Sequence, residues 1–449
     1  MSIPSSADVV IIGGGPTGSV AAADLARKGR HVVVLERGHH PREQVGESLI
    51  PDFWRFIEII GATDKIRAEG FLAKAGAIVS WNKTFRGHTF GDFGFPMPAL
   101  HVERDRFDEI LFDHAADCGA SVFEGATVTS VESGIDAAGA EYSHVAYKTE
   151  DGTVGSITAP VVIDSSGQSG VISRQAGIRE INPEFRYLAV WGYFTGSRYI
   201  SIDGQAHEAD EIWAHAPVTF VSSVKEAGDA GWSWHIQLRN KTSVGIVIPL
   251  EVVKVARREG ETWEDYFLRK TGEVPVLRDL LANADFIPGS FATIRDYSST
   301  ATQFAGPGYI LAGDAAGFID PIFSVGVVLG MYSALAASWA ADKILATPAK
   351  AEHIRKMYTY QLKGRIEVAR SLALPRYRTD GVVSELAKEA IKFERAGVQE
   401  LMYVVTQFTT RNENWVEMIG GTPPELVEGQ LREYVKLAGV GLEEVAAAS

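Results

Sequence analysis

Two short apolar runs, residues 7–12 (Ala-Asp-Val-Val-Ile-Ile) and 31–36 (His-Val-Val-Val-Leu-Glu), enclose a glycine-rich turn and an amphipathic stretch reaching about Lys28. Short runs rich in β-branched residues predict buried strands, and the periodic stretch between them predicts a helix. The chain therefore opens as a β–α–β unit. Residues 44–80 hold two helical stretches, then a strand from about Lys74 to Trp81. Residues 85–100 are rich in Gly, Phe and Pro and predict a loop or lid; Phe85, Phe90, Phe93 and Phe95 either line it or fill a core. A strand and a helix follow over 101–118. Residues 121–165 read as a run of strands ending in Val-Val-Ile-Asp-Ser-Ser-Gly (161–167).

The texture changes from about 183 to 297, where strands alternate and aromatic residues are frequent: Trp191, Tyr193, Phe194, Trp213, Trp232 and Trp234. This predicts a mostly antiparallel sheet forming a second domain. Residues 309–314 return to the first domain as a strand, and 350–449 read as helical and charged. Residues 321–341 carry no charge and have transmembrane length. Pro321, Gly326, Gly330, Tyr332 and three serines interrupt them, however, and Asp314 and Asp320 lie just upstream, so a helix buried under a cofactor is expected.

Composition narrows the class. With 449 residues and 46% hydrophobic content the chain can bury sizeable cores, and no stretch has a disordered composition. A net charge of −14 argues against nucleic acid or an anionic membrane as partner. Cys118 is the only cysteine, which excludes an intrachain disulfide and a cysteine metal cluster. His39 and His40 lack a ligand cluster and read as loop, and the acidic residues of 251–275 as a solvated helix face. The N-terminus lacks a basic region and an apolar signal core, so a cytoplasmic location is expected.

Gly13, Gly15 and Gly18 follow the first strand and open the helix in G-x-G-x-x-G spacing. The first glycine permits the tight turn, the second lets backbone approach a pyrophosphate, and the third lets helix and strand pack closely. Glu36 ends the next strand, where a carboxylate can accept from an unphosphorylated ribose, which favours FAD or NAD over NADP. Gly313 and Asp314, far along the chain, offer a second contact that suits the longer FAD. No second G-x-G-x-x-G occurs in residues 120–300, so a flavin here would be reduced elsewhere. Ser324, Val325 and Gly326 precede the long apolar helix, whose unpaired N–H groups and dipole would face an anion.

Taken together, these residues resemble the flavin-dependent halogenases over most of the first 345 positions. The likeness rests on Gly-Gly-Gly-Pro-Thr-Gly (13–18), Val-Gly-Glu-Ser (45–48), Val102-Glu103-Arg104 leading into Phe107-Asp108, Asp164 with Gly167, and the F-x-x-P-x-x-S-x-G run at 318–326. Much of this is shared with single-component aromatic hydroxylases and prenyl reductases. The resemblance implies an α/β fold: an FAD-binding Rossmann-like domain of the aromatic hydroxylase type (1–182 plus 298–345), an inserted β-rich substrate domain (183–297) and a helical C-terminal region (346–449). Cofactor contacts are implied at Gly13, Gly15, Pro16, Thr17, Gly18, Glu36, Arg37, Glu47, Ser48, Arg104, Asp164, Gly313, Asp314, Pro321 and Gly326.

Three features are narrower. Lys74 falls where family members carry the lysine that hydrogen-bonds hypohalous acid or forms a haloamine, and burial should lower its pKa. Trp232-Ser233-Trp234-His235-Ile236 matches the family's W-x-W-x-I-P except that Gln237 replaces the proline; the two tryptophans are implied to screen substrate from the flavin. The backbone at Ser324, Val325 and Gly326 is implied to bind chloride or bromide, with Val325 where Ser or Thr is usual. Tryptophan-type members carry a glutamate just before this serine. Phe323 stands there instead, so the chain resembles the branch acting on phenols and pyrroles.

The implied activity is halogenation of an electron-rich ring. FADH2 and O2 give a flavin C4a-hydroperoxide, halide attacks it, and hypohalous acid is delivered by Lys74. A separate flavin reductase is the implied partner. The substrate would be free or carried on a protein, for which Arg365, Arg370, Arg376 and Arg378 are candidate docking residues. A flavin hydroxylase, a prenyl reductase and a halogenase-like flavoprotein without halogenating activity remain as alternatives.

Overall fold

The computed structural model describes residues 2–81, 84–90, 97–224 and 231–377. Strand Val9–Ile12 lies between Val32–Leu35 and Val161–Asp164, in parallel register with both. All three strands are buried along their whole length, the signature of a parallel sheet covered on both faces. The full sheet has six strands, in the order Ala305–Gly306, Tyr309–Leu311, Val161–Asp164, Val9–Ile12, Val32–Leu35, Ser121–Phe123. Helix Pro16–Arg27 packs against helices Arg104–Asp117 and Gly326–Ala346. A three-stranded antiparallel sheet (Ala126–Ile135, Glu141–Thr149, Val154–Ala159) lies beside this layer.

The uncharged run at 321–341 becomes the buried helix Gly326–Ala346. Its small residues let it approach helix Pro16–Arg27: Cβ atoms added at Gly330 and Gly313 would lie 2.5 and 2.7 Å from Thr17 Oγ1. Arg30 pairs with Asp342 at 2.6 Å across the same contact. No described helix is long and apolar enough to cross a membrane.

The second sheet has eight strands. Its path runs Asp285–Phe286, Tyr187–Thr195, Thr242–Pro249, Gly231–Gln237, Val218–Val224, Gly76–Trp81, Thr84–Thr89, with Ala292–Arg295 also on Tyr187–Thr195. Alternation sorts its residues. Val190, Phe194, Val244, Ile246 and Ile248 face helices Leu250–Ala256 and Trp263–Glu273, while Tyr193, Val221, Trp232, Trp234 and Val247 face the core of the first layer.

Two features depart from the linear reading. Gly76–Trp81 and Thr84–Thr89 were expected in the cofactor region but pair into the large sheet, through parallel register of Gly76–Trp81 with Val218–Val224. In addition, the strand expected from Lys74 to Trp81 is two strands. Leu72–Lys74 pairs with Ala99–His101, and the chain changes ladder at Ala75, whose N–H donates to Pro217 O at 2.9 Å. Apolar alternation announces a strand but does not name its partner.

Helix Ala351–Tyr377 closes the described chain, burying Met357, Tyr358, Leu362 and Ile366. The remainder of the expected helical region, 378–449, lies outside the described residues, as do Phe93, Phe95 and Arg378.

Candidate active site

The glycine turn has the geometry its spacing predicts. Gly13 adopts φ +98°, and a Cβ there would stand 2.7 Å from Ser165 O. At Gly18 a Cβ would stand 1.9 Å from Gly13 O, so only glycine lets helix Pro16–Arg27 start this close to the strand. The helix begins at Pro16 without a side-chain cap, which leaves its first N–H groups aimed outward. Glu36 is buried and accepts from the N–H of Gly14 (2.7 Å) and Gly38 (2.8 Å). Burial opposes its ionisation, but the charge of Arg42 and these two amides outweigh it and hold the carboxyl below its ordinary range.

Arg37 is exposed. Arg42, which the sequence reading passed over, is the arginine on the loop: its guanidinium lies 3.7 Å from Glu36 and 3.6 Å from where a Cβ of Gly15 would be. Its Nε is buried without a hydrogen-bond partner. An orphaned cationic donor beside unpaired helix N–H groups fits a dinucleotide pyrophosphate. Arg42 and the N–H groups of Gly15, Thr17 and Gly18 could hold it, with Glu36 toward the ribose.

The other expected cofactor residues fall into two groups. Asp314 is half-buried and accepts from Gln168 Nε2 at 3.1 Å; burial pushes its carboxyl up, opposed by Gln168, Arg104 and Arg179. Gly313 donates its N–H to Ser333 Oγ at 2.7 Å, and Thr17 packs between Gly313 and Gly330. Arg104, Glu47 and Asp164 instead have their polar atoms engaged within the chain. Arg104 grips Asp108 through two bonds (2.7 and 2.9 Å) and donates to Val45 O at 2.8 Å. Glu47 accepts from Gly46 N (2.9 Å) and from Tyr193 OH (2.7 Å). Asp164 accepts from Ser166 N, Ser166 Oγ and Ile172 N at 3.0, 2.6 and 2.7 Å. These three carboxylate and guanidinium groups hold loop walls in place.

Lys74 lies where three segments meet. Leu72–Lys74 pairs with Ala99–His101, and the loop at 47–49 binds the latter through Leu49 N to Leu100 O (2.9 Å) and Val102 N to Glu47 O (2.8 Å). The lysine is 2% exposed. Its Nζ donates to Ser48 Oγ at 2.8 Å and to Leu49 O at 3.2 Å, and sits 5.1 Å from the centre of the Phe90 ring. Burial pushes its pKa down to about 7. Ser48 Oγ also meets Thr219 Oγ1 at 2.7 Å and Ser324 Oγ at 3.0 Å. His101 Nε2 lies 2.9 Å from Thr219 Oγ1, and its Nδ1 lies 2.9 Å from Gln237 O. Thr219 and His101 escaped the sequence reading because no motif marks either: Thr219 reaches Ser48 from 171 residues away, and His101 joins the cluster through Thr219.

Ser324 therefore links the lysine to the expected anion site. It sits in the left-handed region (φ +58°) after the turn Pro321–Phe323, and its N–H donates to Pro321 O at 2.9 Å. The turn is held by Asp320, which accepts from Ile322 N (2.9 Å) and Tyr297 OH (2.8 Å). Val325 is the N-cap of helix Gly326–Ala346, again without a side-chain cap. A Cβ on Gly326 would stand 3.0 Å from the Phe318 ring. Through its amides, this helix start can take an anion.

Trp232 and Trp234 share one face of Gly231–Gln237, ring centres 5.7 Å apart, and are 2% and 4% exposed. Trp234 lies across Gly245 and donates to Ser243 Oγ at 3.1 Å. Thr219 is on the same sheet face. Gln237, in place of the family's proline, bonds Thr242 Oγ1 at 2.8 Å at the strand end, and the tryptophan pair stays side by side.

Residues 6–365 match a family model described as FAD binding domain. The flavin-dependent halogenase armH3 of Armillaria mellea is 34% identical over 350 residues, covering 75% of this chain and 67% of that protein. The tryptophan 2-halogenase of Chondromyces crocatus is 33% identical over 358 residues, covering 77% and 63%. The chain spans about two thirds of the length of such curated relatives. Among solved structures, the myxobacterial chondrochloren halogenase CndH superposes with a TM-score of 0.72 at 27% identity, over 97% of each chain. The flavin-dependent brominase Bmp2 gives 0.74 at 24% identity, over 96% of this chain and 99% of that one, and speaks for the fold alone. The chain belongs to the FAD-binding-domain family and, within it, to the flavin-dependent halogenases.

Proposed function

We propose that this protein is an FAD-dependent halogenase that chlorinates or brominates an electron-rich aromatic ring, a phenol or a pyrrole. The observation that carries the reading is the placement of Lys74: buried, with a pKa near 7, and joined through Ser48 to Ser324 at the helix start suited to an anion. Bound reduced flavin, with oxygen, supplies the oxidising equivalent that turns halide into hypohalous acid. The chain's own residues do the rest. The amides of Val325 and Gly326 hold the halide, Lys74 receives the oxidant and aims it, and Trp232 with Trp234 keeps the ring apart from the flavin. The large sheet forms the substrate wall. Positioning of this kind restricts an indiscriminate oxidant to one carbon.

Phe323 in place of a glutamate supports a phenol or pyrrole over tryptophan, since an electron-rich ring needs no carboxylate to steady the charged intermediate. The lack of a second G-x-G-x-x-G in 120–300 supports a separate reductase as the electron source.

The test is turnover with reductase-supplied reduced FAD, oxygen, bromide and a panel of phenols and pyrroles, free and carrier-loaded. Mass spectrometry reads the bromine isotope doublet. Brominated product that Lys74→Ala loses supports the reading. Hydroxylated product alone, or peroxide alone with every substrate, sinks it.

A further inference from the structure

We propose that Thr219 and His101 are positioning residues that lock the hydroxyl of Ser48 as an acceptor toward Lys74, so that the third position on Nζ is the only one left to face the oxidant. The inference rests on Lys74 being the group that handles the oxidant.

The anchor is the carbonyl of Gln237, which can only accept, so His101 Nδ1 carries the proton of that 2.9 Å contact. Burial, with Lys74 and His235 nearby, pushes the imidazole pKa well down and keeps it neutral. Its Nε2 must then accept, and the donor is Thr219 Oγ1–H at 2.9 Å. Having spent its one proton, Thr219 accepts from Ser48 Oγ–H at 2.7 Å. Ser48 in turn has only lone pairs left, and takes its remaining bonds from Lys74 (2.8 Å) and Ser324 (3.0 Å). A hydroxyl has one proton and two lone pairs, so these three contacts saturate it.

Both hydrogen-bond partners of Lys74, Ser48 Oγ and Leu49 O, are therefore acceptors. An ammonium spends two N–H groups on them and presents the third. A free amine spends both of its N–H groups and presents its lone pair. The relay thus makes Lys74 a donor in one protonation state and a nucleophile in the other. The other titratable groups packed here do not compete: His235 bonds Ser197 at 2.9 Å, and Glu47 is turned to Tyr193 and Gly46.

Breaking the relay frees the Ser48 proton to turn toward Nζ, which favours the free amine. The experiment uses the FAD-loaded protein labelled with 13Cε-lysine, the Lys74 signal being the one missing in Lys74→Met. Thr219→Val, a near-isosteric change, should lower the Lys74 pKa by about 0.5–1 unit and, by depleting the ammonium, slow bromination at pH 7 by about 2- to 5-fold. Thr219→Ser should restore both. His101→Leu should shift the titration in the same direction, and it carries the test should Thr219→Val fail to fold. An unchanged Lys74 titration in both Thr219→Val and His101→Leu overturns the proposal. Because the titration is read without turnover, a wild-type protein that does not halogenate would sink the functional reading and leave the relay measurable.

Discussion

Ser48 and Lys74, 26 residues apart in sequence, are joined by a buried 2.8 Å hydrogen bond across two different segments of the site. The serine comes from the loop that Arg104 and Glu47 hold in place, the lysine from the point where the chain leaves one ladder for another. Their pairing holds an ionisable amine in a buried site.

Replacing the lysine should separate binding from chemistry. Lys74→Met retains the apolar stem and removes the amine. FAD binding, followed by flavin fluorescence, should be unchanged, while bromination should fall by at least about 100-fold. Retained bromination would show that the oxidant reaches the ring without Lys74.

The same substitution should stabilise the fold in a pH-dependent way. The folded pKa of Lys74 is near 7, below its unfolded value. Between about pH 7 and 10.4 the unfolded chain binds more protons at this site, so its contribution to unfolding free energy rises with pH across that window. Below about pH 7 the full penalty of a buried charge applies. Lys74→Met should therefore gain about 1–3 kcal/mol at pH 6.5, net of the lost hydrogen bonds, and the gain should shrink towards pH 10. Denaturant titrations at the two pH values give the comparison; a gain independent of pH would contradict the assigned shift.

On the cofactor side, Arg42→Ala should weaken FAD binding by about 10- to 100-fold, whereas Arg37→Ala, at an exposed residue, should change it less than about 2-fold. Equilibrium dialysis of both variants decides this. Equal losses would mean that the loop presents both arginines to the pyrophosphate.

Gly245→Ala probes the tryptophan pair. A methyl there would meet the Trp234 ring at 2.1 Å, so the ring must move. Overpacking of this sort costs about 1–3 kcal/mol. A displaced screen should raise hydroxylated relative to halogenated product. An unchanged product ratio with a shifted Trp234 would argue that the pair is a packing feature only.

What the chain wrote locally was legible. The β–α–β opening follows from strand–glycine–helix spacing, and Gly18 is required by a contact five residues away, with Gly13 O. Burial of the uncharged run at 321–341 followed from the small and polar residues inside it. The family's motifs marked Lys74, Trp232, Trp234 and Ser324, and the fold joins Lys74 and Ser324 through Ser48.

Other parts had no local signature. Arg37 follows Glu36 directly, yet the chain turns it outward and brings Arg42 back over the loop. Arg104, Glu47 and Asp164 turn their polar atoms to partners within the chain, which motifs, marking positions only, do not announce. Strand Gly76–Trp81 read correctly as a strand but joined a sheet whose members other than Thr84–Thr89 begin more than 100 residues later. Sequence alone determined the cofactor fold and the cofactor class, because periodicity, glycine spacing and motifs act over short stretches of chain. Only the tertiary structure decided that Thr219 and His101 stand behind Lys74, because the direction of a hydrogen bond depends on which donors and acceptors distant segments bring within 3 Å.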